Sequence, residues 1–340
     1  MPLGVLTDAL IDSIKPMSKR QAWKESPNSD CPRVEKEPTS ACAPFVSVIV
    51  PVYQDLDHLP RLLGAMERQS YPANNFETLI VFNDRNECPS RTLGTDVSVR
   101  FLTEEIPGSY AARNKGIANA RGRVLAFTDV DCVPDRDWLK IGVEALNENL
   151  DRGYVGGKIE IVSNSGPRPT IAERYETSVH FRQDLYVKDG HFAATANMFT
   201  TRDVIDRIGM FNPNLKSSGD KEWGERAASS GFQGFHESRA IVGHPGRSLG
   251  ELLRKARRLA GGRVDYQRLK SASREMLHHC LIFDWKSEFN YLRGRWWLIR
   301  DRHQSDVMQA LFPGLFSLLV FAVALMERWR IRLGATSLRT

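Results

Sequence analysis

The sequence predicts an α/β protein: a mostly parallel sheet flanked by helices, with a helical region following it. Two observations predict this. Four short apolar runs rich in β-branched residues begin at Phe45, Phe76, Val97 and Val124, with helix-period patterns between the first and second and between the third and fourth. Strand, helix, strand, strand, helix, strand at such spacings is the order of a Rossmann-like sheet. The fourth run, Val124 to Phe127, breaks into Asp129-Val130-Asp131 and is closed by Pro134. Ligands of open α/β sheets bind beyond the carboxyl ends of the strands, where these two carboxylates would emerge. Residues two apart on an extended tip point the same way, so the pair can share one hard divalent cation.

Taken in order, residues 1–43 carry little core-forming material and read as a flexible tail rich in Pro, Ser, Lys and Glu. Phe45 to Val52 is a β-branched, almost wholly apolar strand. It runs into Tyr53-Gln54-Asp55 and then a helix from His58 to Arg68, with Leu59, Leu62, Leu63 and Met66 on one face. Phe76 to Phe82 is the second strand, followed by Asn83-Asp84, and Val97 to Leu102 is the third. Tyr110 to Ala120 is helical, with Gly108-Ser109 supplying its N-cap region.

The 340-residue chain is 41% hydrophobic and 26% charged, an ordinary globular balance, and its formal charge of +6 favours anionic partners: phosphorylated substrates, a membrane surface or nucleic acid. Five scattered cysteines without a Cys-x-x-Cys pair argue for a reducing compartment, against a disulfide framework and against a structural zinc site. The N-terminal stretch has no signal-peptide core, so nothing indicates secretion.

Three stretches in order, Ser-Val-Ile-Val-Pro-Val-Tyr-Gln-Asp at 47–55, Ala-Arg-Asn-Lys-Gly-Ile at 112–117 and Phe-Thr-Asp-Val-Asp at 127–131, resemble a family 2 glycosyltransferase with the GT-A fold. Ala196-Asn197-Met198, Ile208-Gly209-Met210-Phe211 and Gly219-Asp220-Lys221-Glu222 resemble that family's acceptor side, so the likeness covers about 45–262. It departs at the second strand, which ends Phe-Asn-Asp-Arg-Asn, and at the usual Glu-Asp pair, which is Gly219-Asp220 here. The Gln-x-x-Arg-Trp signature is absent, and Arg254-Lys-Ala-Arg-Arg258 occupies its region.

The resemblance implies sugar transfer from a nucleotide-diphosphate sugar, UDP-linked by preference with GDP or dTDP as alternatives, to a hydroxyl of a glycan or lipid-linked acceptor. It divides the GT-A domain, 44–246, into a nucleotide-binding half at 44–135 and an acceptor half at 136–246. Asp131 would ligate Mg²⁺ or Mn²⁺ and Asp129 would reach the ribose or metal-bound water, with Val130 between them and His244 as an additional ligand. Pro51, Tyr53 and Asp55 would receive the nucleotide, Tyr53 stacking on the base and Asp55 accepting a ring N–H. Asp84 is a second base-reading candidate. Arg113 and Lys115, near a helix N-terminus, would hold the diphosphate. Asp220 matches the base position and implies inversion, with Glu222 as its rival.

Two other readings compete. A sugar nucleotidyltransferase would show a Gly-rich basic loop where Tyr53-Gln54-Asp55-Leu56 stands. A non-catalytic nucleotide-binding subunit would have no use for Asp129, Asp131 and Asp220 together. No nucleic-acid partner is implied.

Beyond 246, residues 247–304 read as a basic helical region whose leucine stripe and arginines suit an anionic membrane surface. Residues 305–340 hold the most apolar segment, Ala310 to Met326, flanked by Trp296, Trp297, Trp329 and arginines, which reads as membrane-associating. The expectation is a membrane protein with its catalytic domain on the cytoplasmic face, left intact by removal of everything after Gln304.

Overall fold

A computed structural model describes residues 43–83, 97–149, 151–270, 293, 296, 299 and 307–337. The first half is the expected alternation: β1 (Val46–Val52), α1 (Leu59–Glu67), β2 (Phe76–Phe82), β3 (Ser98–Thr103), α2 (Ser109–Asn119) and β4 (Val124–Thr128). The second half adds β5 (Val133–Pro134), α3 (Trp138–Glu148), β6 (Gly153–Val162), α4 (Ile171–Val179), α5 (Gln183–Lys188), β7 (Asn197–Thr201), α6 (Arg202–Ile208), α7 (Gly219–Ser229) and β8 (Gln233–Pro245). Among the described residues two long helices follow, α8 (Leu249–Lys270) and α9 (Val307–Arg332).

The described strands form one sheet in the order β3-β2-β1-β4-β7-β6-β8-β5. β1 to β4 are mutually parallel, as the sequence predicts, whereas β7 runs antiparallel to both β4 and β6 and makes the sheet mixed. Alternate side chains of β1 and β4 enter two separate cores, Val48 and Ala126 on one face, Ile49 and Leu125 on the other. Burial on both faces is why these strands read as continuous apolar runs. The chain moves outward from β1 to β2 and β3, then returns to β4 on the other side of β1. That reversal opens a crevice at the carboxyl ends of β1 and β4.

The opposite end is pinned. Glu77 accepts from Ser47 Oγ and from Arg100 Nη1, both at 2.8 Å, and from the Arg121 N–H, tying β1, β2 and β3 at their amino ends. In the second half, buried Asn197 donates to the carbonyls of Lys158 and Ala240 and accepts from Trp138 Nε1 at 2.9 Å. One amide therefore locks β6, β7, β8 and α3 together.

α8 and α9 pack on this body. Leu252 and Ala256 of α8 share a cluster with Tyr175 of α4 and Val320 of α9, and Tyr175 meets the Phe316 ring at 5.0 Å. After α9 the chain turns back, and Ser337 Oγ donates to Asp265 while Lys216 Nζ donates to the Ser337 carbonyl, both at 2.6 Å. Among the described residues no helix is long and apolar enough to cross a membrane, α9 included.

Candidate active site

The crevice widens into a cleft of about 520 Å³. Pro51, Val52, Tyr53 and Asp55 line it from the end of β1, and Asp129, Val130 and Asp131 from the end of β4. Burial and the neighbouring Asp131 carboxylate raise the pKa of Asp55. Asn83, at the tip of β2, also faces the cleft and donates to the carbonyls of Glu104 and Ile106 at 3.0 and 2.7 Å. An amide at this strand end thus fixes the loop that leads into α2. Asp84 lies outside the described residues.

Arg113, one turn into α2, donates to Asp129 at 2.5 Å, and its Nε is buried without a hydrogen-bond partner. Lys115 does not line the cleft. Two residues along a helix rotate a side chain by about 200°, so only one of this pair can face inward.

Asp131 Oδ2 lies 3.4 Å from His244 Nε2. The Nδ1 of His244 is hydrogen-bonded to the Pro245 carbonyl, which leaves the lone pair on Nε2, and Arg247 Nη2 already donates to it at 2.8 Å. Burial lowers the His244 pKa and keeps the ring neutral, the form that ligates. Ligand atoms of Asp131, His244 and Cys132 lie within 4.8 Å of one another, a grouping the sequence does not announce because β4 and β8 are far apart in the chain. Burial and the two aspartates push the Cys132 thiol well up, so it stays protonated and donates weakly to Asp131. One carboxylate and one imidazole lone pair, already drawing a cation in Arg247, fit a hard ion such as Mg²⁺ or Mn²⁺, whereas Asp129 lines the same cleft outside that grouping and is held by Arg113.

Arg247, Lys255 and Arg258 line the cleft as well. They come from the region the sequence assigns to a membrane-facing surface, because cations run right round α8 and spacing alone does not separate its faces. Fully buried Glu176 receives Arg247 at 2.5 Å and Lys255 at 3.0 Å. Burial alone would raise its pKa, but Lys255 and Arg247 hold it below the usual carboxylate range. Lys255 is brought down to about 7, by burial first and Arg247 second. Glu176→Gln should leave both cations without a counter-charge and destabilise the fold by about 3–5 kcal/mol, read as a lower urea midpoint at neutral pH. A carboxylate with a depressed folded pKa stabilises above its unfolded pKa and loses that contribution as pH falls through the folded one. The gap between variant and wild type should therefore narrow in acid.

On the acceptor side, α7 begins at Gly219, where an added Cβ would lie 2.6 Å from the Tyr110 ring. Only glycine permits that approach, and it seats the next residue, Asp220, against the cleft. Asp220 accepts from the Lys221 N–H at 2.9 Å and from Tyr110 Oη at 3.3 Å, and burial raises its pKa. Glu222 does not line the cleft, and Arg226 holds it at 2.7 and 3.0 Å. Phe181, Tyr186 and Phe192 complete an aromatic wall, the last two stacked at 4.9 Å, which the sequence reading misses because they come from a turn, the six-residue α5 and the loop after it. Gln54, Phe181 and Ser218 hold left-handed backbone (φ 57, 55 and 64°) in or beside the cleft, where strain concentrates at functional sites.

A mixed α/β sheet with an acid-tipped strand at its reversal point, facing a half-buried carboxylate across one cleft, is the architecture of a GT-A glycosyltransferase. Residues 47–209 match the Glycosyl transferase family 2 profile. Glycosyltransferase AglE of Haloferax volcanii is 34% identical over 227 residues, which cover 65% of this chain and 73% of the relative. A Methanococcus voltae enzyme named as a dolichyl N-acetyl-α-D-glucosaminyl phosphate diacetamido-dideoxy-glucuronosyltransferase is 22% identical over 218 residues, 60% of this chain and 68% of its own. In fold, the chain is similar to the Pyrobaculum calidifontis mannosyltransferase solved with GDP-Man and Mn²⁺ (TM-score 0.54, 16% identity, 87% of this chain and 90% of that one). The chain belongs to glycosyltransferase family 2, and the protein is a glycosyltransferase.

Proposed function

We propose that this glycosyltransferase is a metal-dependent, inverting enzyme that moves a sugar from a nucleotide-diphosphate sugar to a hydroxyl of a glycan or lipid-linked acceptor, at the cytoplasmic face of a membrane. The observation that carries this reading is a single cleft that gathers Asp131 with His244, the spare donor of Arg113, and half-buried Asp220. Tyr53 offers the nucleotide base an exposed ring, and Asp55 an acceptor for its N–H. Asp131 and His244, with Asp129 close by, would hold Mg²⁺ or Mn²⁺, which supplies Lewis-acid neutralisation of the diphosphate when bound. Arg113, Arg258 and Lys255 bring further positive charge to the same leaving group.

Asp220 takes the proton from the acceptor hydroxyl as its oxygen bonds to the anomeric carbon and the bond to the diphosphate oxygen breaks. Attack from the face opposite the diphosphate inverts the centre. The lipid-linked alternative gains support from the Methanococcus relative, named for a dolichyl phosphate-linked acceptor, and the nucleotide sugar from the mannosyltransferase of like fold.

The test is hydrolysis of UDP-, GDP- and dTDP-sugars without acceptor. Release of nucleoside diphosphate that needs Mg²⁺ or Mn²⁺ supports the reading, and equal release in excess chelator contradicts it. With acceptor present, a base must be deprotonated to act. The raised pKa of Asp220 therefore predicts a rate that falls with acid at a pH above the ordinary aspartate range, measured as the acidic limb of kcat/KM.

A further inference from the structure

We propose that the stacked rings of Tyr186 and Phe192 seat one pyranose ring of the acceptor, the ring that carries the attacking hydroxyl. This deepens the proposed function and rests on it. Among the described residues the other aromatic rings of the cleft are already engaged. Tyr53 is offered to the nucleotide base, and Tyr110 packs on Phe211 and donates to Asp220. Phe181 carries Lys255 Nζ 4.4 Å from its centroid and stands 4.7 Å from the His244 ring. Tyr186 and Phe192 line the same cleft, stacked with their planes 15° apart, and no step of the donor chemistry uses them.

The fold holds this pair in place. The N–H groups of Gly190 and Phe192 both donate to the Tyr186 carbonyl at 3.1 Å, folding the loop back over the end of α5. An added Cβ at Gly190 would lie 2.8 Å from the Phe192 ring and from that carbonyl, so a side chain there would part the two rings. His191 between them holds left-handed backbone (φ 53°), which costs free energy in a residue with a Cβ. Buried Gln183 accepts from the Ala194 N–H at 2.8 Å and donates to the Asn197 carbonyl at 2.9 Å. The far end of the loop is thereby clamped between α5 and β7.

The loop also rests on the helix that carries the proposed base. An added Cβ at Gly224 would lie 2.6 Å from Phe192 Cβ, so the chain at Phe192 touches α7 directly. Gly224 stands one helical turn after Asp220 on the same face, about 6 Å along the axis. A ring stacked on the pair therefore lies beside that carboxylate in one cleft.

The surroundings select a sugar. A pyranose has a face of axial C–H groups, which suits an aromatic ring, and a rim of hydroxyls, which need polar partners. Ala194, Thr195 and Ala196 continue the cleft wall with small side chains, and the Thr195 hydroxyl, Lys221 and Asp220 supply donors and acceptors in the same cavity. A bare isoprenoid chain would desolvate these groups and bond to none of them.

Saturation-transfer NMR of the full chain tests this with methyl pyranosides of glucose, mannose, galactose and N-acetylglucosamine, and with citronellyl phosphate as the isoprenoid probe. At least one pyranoside should receive saturation, strongest on the axial C–H groups of one ring face. Tyr186→Leu and Phe192→Leu should each weaken that binding about fivefold or more, while Tyr186→Phe keeps it. Melting curves on the same samples report the fold, and the wild-type epitope carries the test should a variant fail to fold. Metal-dependent donor hydrolysis by wild type, measured alongside, stands or falls separately, so failure of the proposed chemistry is distinguishable from failure of this assignment. Four results would overturn the proposal: saturation spread evenly round the ring, none on any pyranoside, undiminished binding in both leucine variants, or citronellyl phosphate alone losing its binding in them. The last would place a lipid chain on the pair.

Discussion

Asp131→Ala should abolish sugar transfer and metal-dependent donor binding while leaving the fold intact. Asp131 is half-buried at the tip of β4, where its contacts are the weak Cys132 thiol and the His244 ring, so its removal takes no strand pairing with it. What is lost is the carboxylate of the proposed metal site, and a neutral imidazole alone is a poor site for a hard cation. Calorimetric titration of nucleoside diphosphate with and without Mn²⁺ checks this. Wild type should bind more tightly with the ion and Asp131→Ala should show no difference. His244→Ala should weaken the same dependence less, because Arg247 already shares its lone pair. Full activity in Asp131→Ala would remove the proposed ion from the reaction.

Asp220→Asn should lower turnover by about two to four orders of magnitude, the usual worth of general-base catalysis. The amide keeps the size of the carboxylate and can still accept from the Lys221 N–H and Tyr110, so the start of α7 survives. Donor affinity should barely change, since the residue serves the acceptor. The acidic limb of the pH profile should vanish with it. Glu222→Gln should be mild in turnover, because that carboxylate is spent on Arg226, which in turn caps the carbonyls of Ile208 and Met210. Steady-state kinetics of the two variants side by side decide the matter. A larger loss in Glu222→Gln would make Glu222 the base.

The parts of this molecule readable from sequence are those whose physics is local. β1, β2 and β4 stand out because both their faces are buried, and the Asp129–Asp131 tip stands out because a strand cannot continue through it into Pro134. Arg113 and Lys115 were separable in principle, since helical rotation places them on different sides, yet their shared charge invites a shared role. Groups brought together by distant elements carried no such signal. The Asp131–His244 approach joins β4 to β8, Glu176 on α4 organises two cations from beyond β8, and the aromatic wall comes from a left-handed turn and a six-residue helix. The direction of β7 is likewise a tertiary outcome, fixed by Asn197 reaching across to β6 and β8.

The bond from Lys216 to Ser337 spans 121 residues of chain and ends in the Pro213–Ser218 loop, directly before Asp220. During synthesis the donor-side strand ends can assemble long before that tie exists, since a contact so distant in sequence forms only after the intervening loop entropy has been overcome. A chain clipped after Gln304 would lose the residue that steadies the loop beside the proposed base and, with α9, the Val320 and Phe316 contacts that cover Leu252 of α8 and Tyr175 of α4. Such a cut would loosen the helix that carries Lys255 and Arg258 as well, so proteolysis there would disturb both sides of the cleft at once.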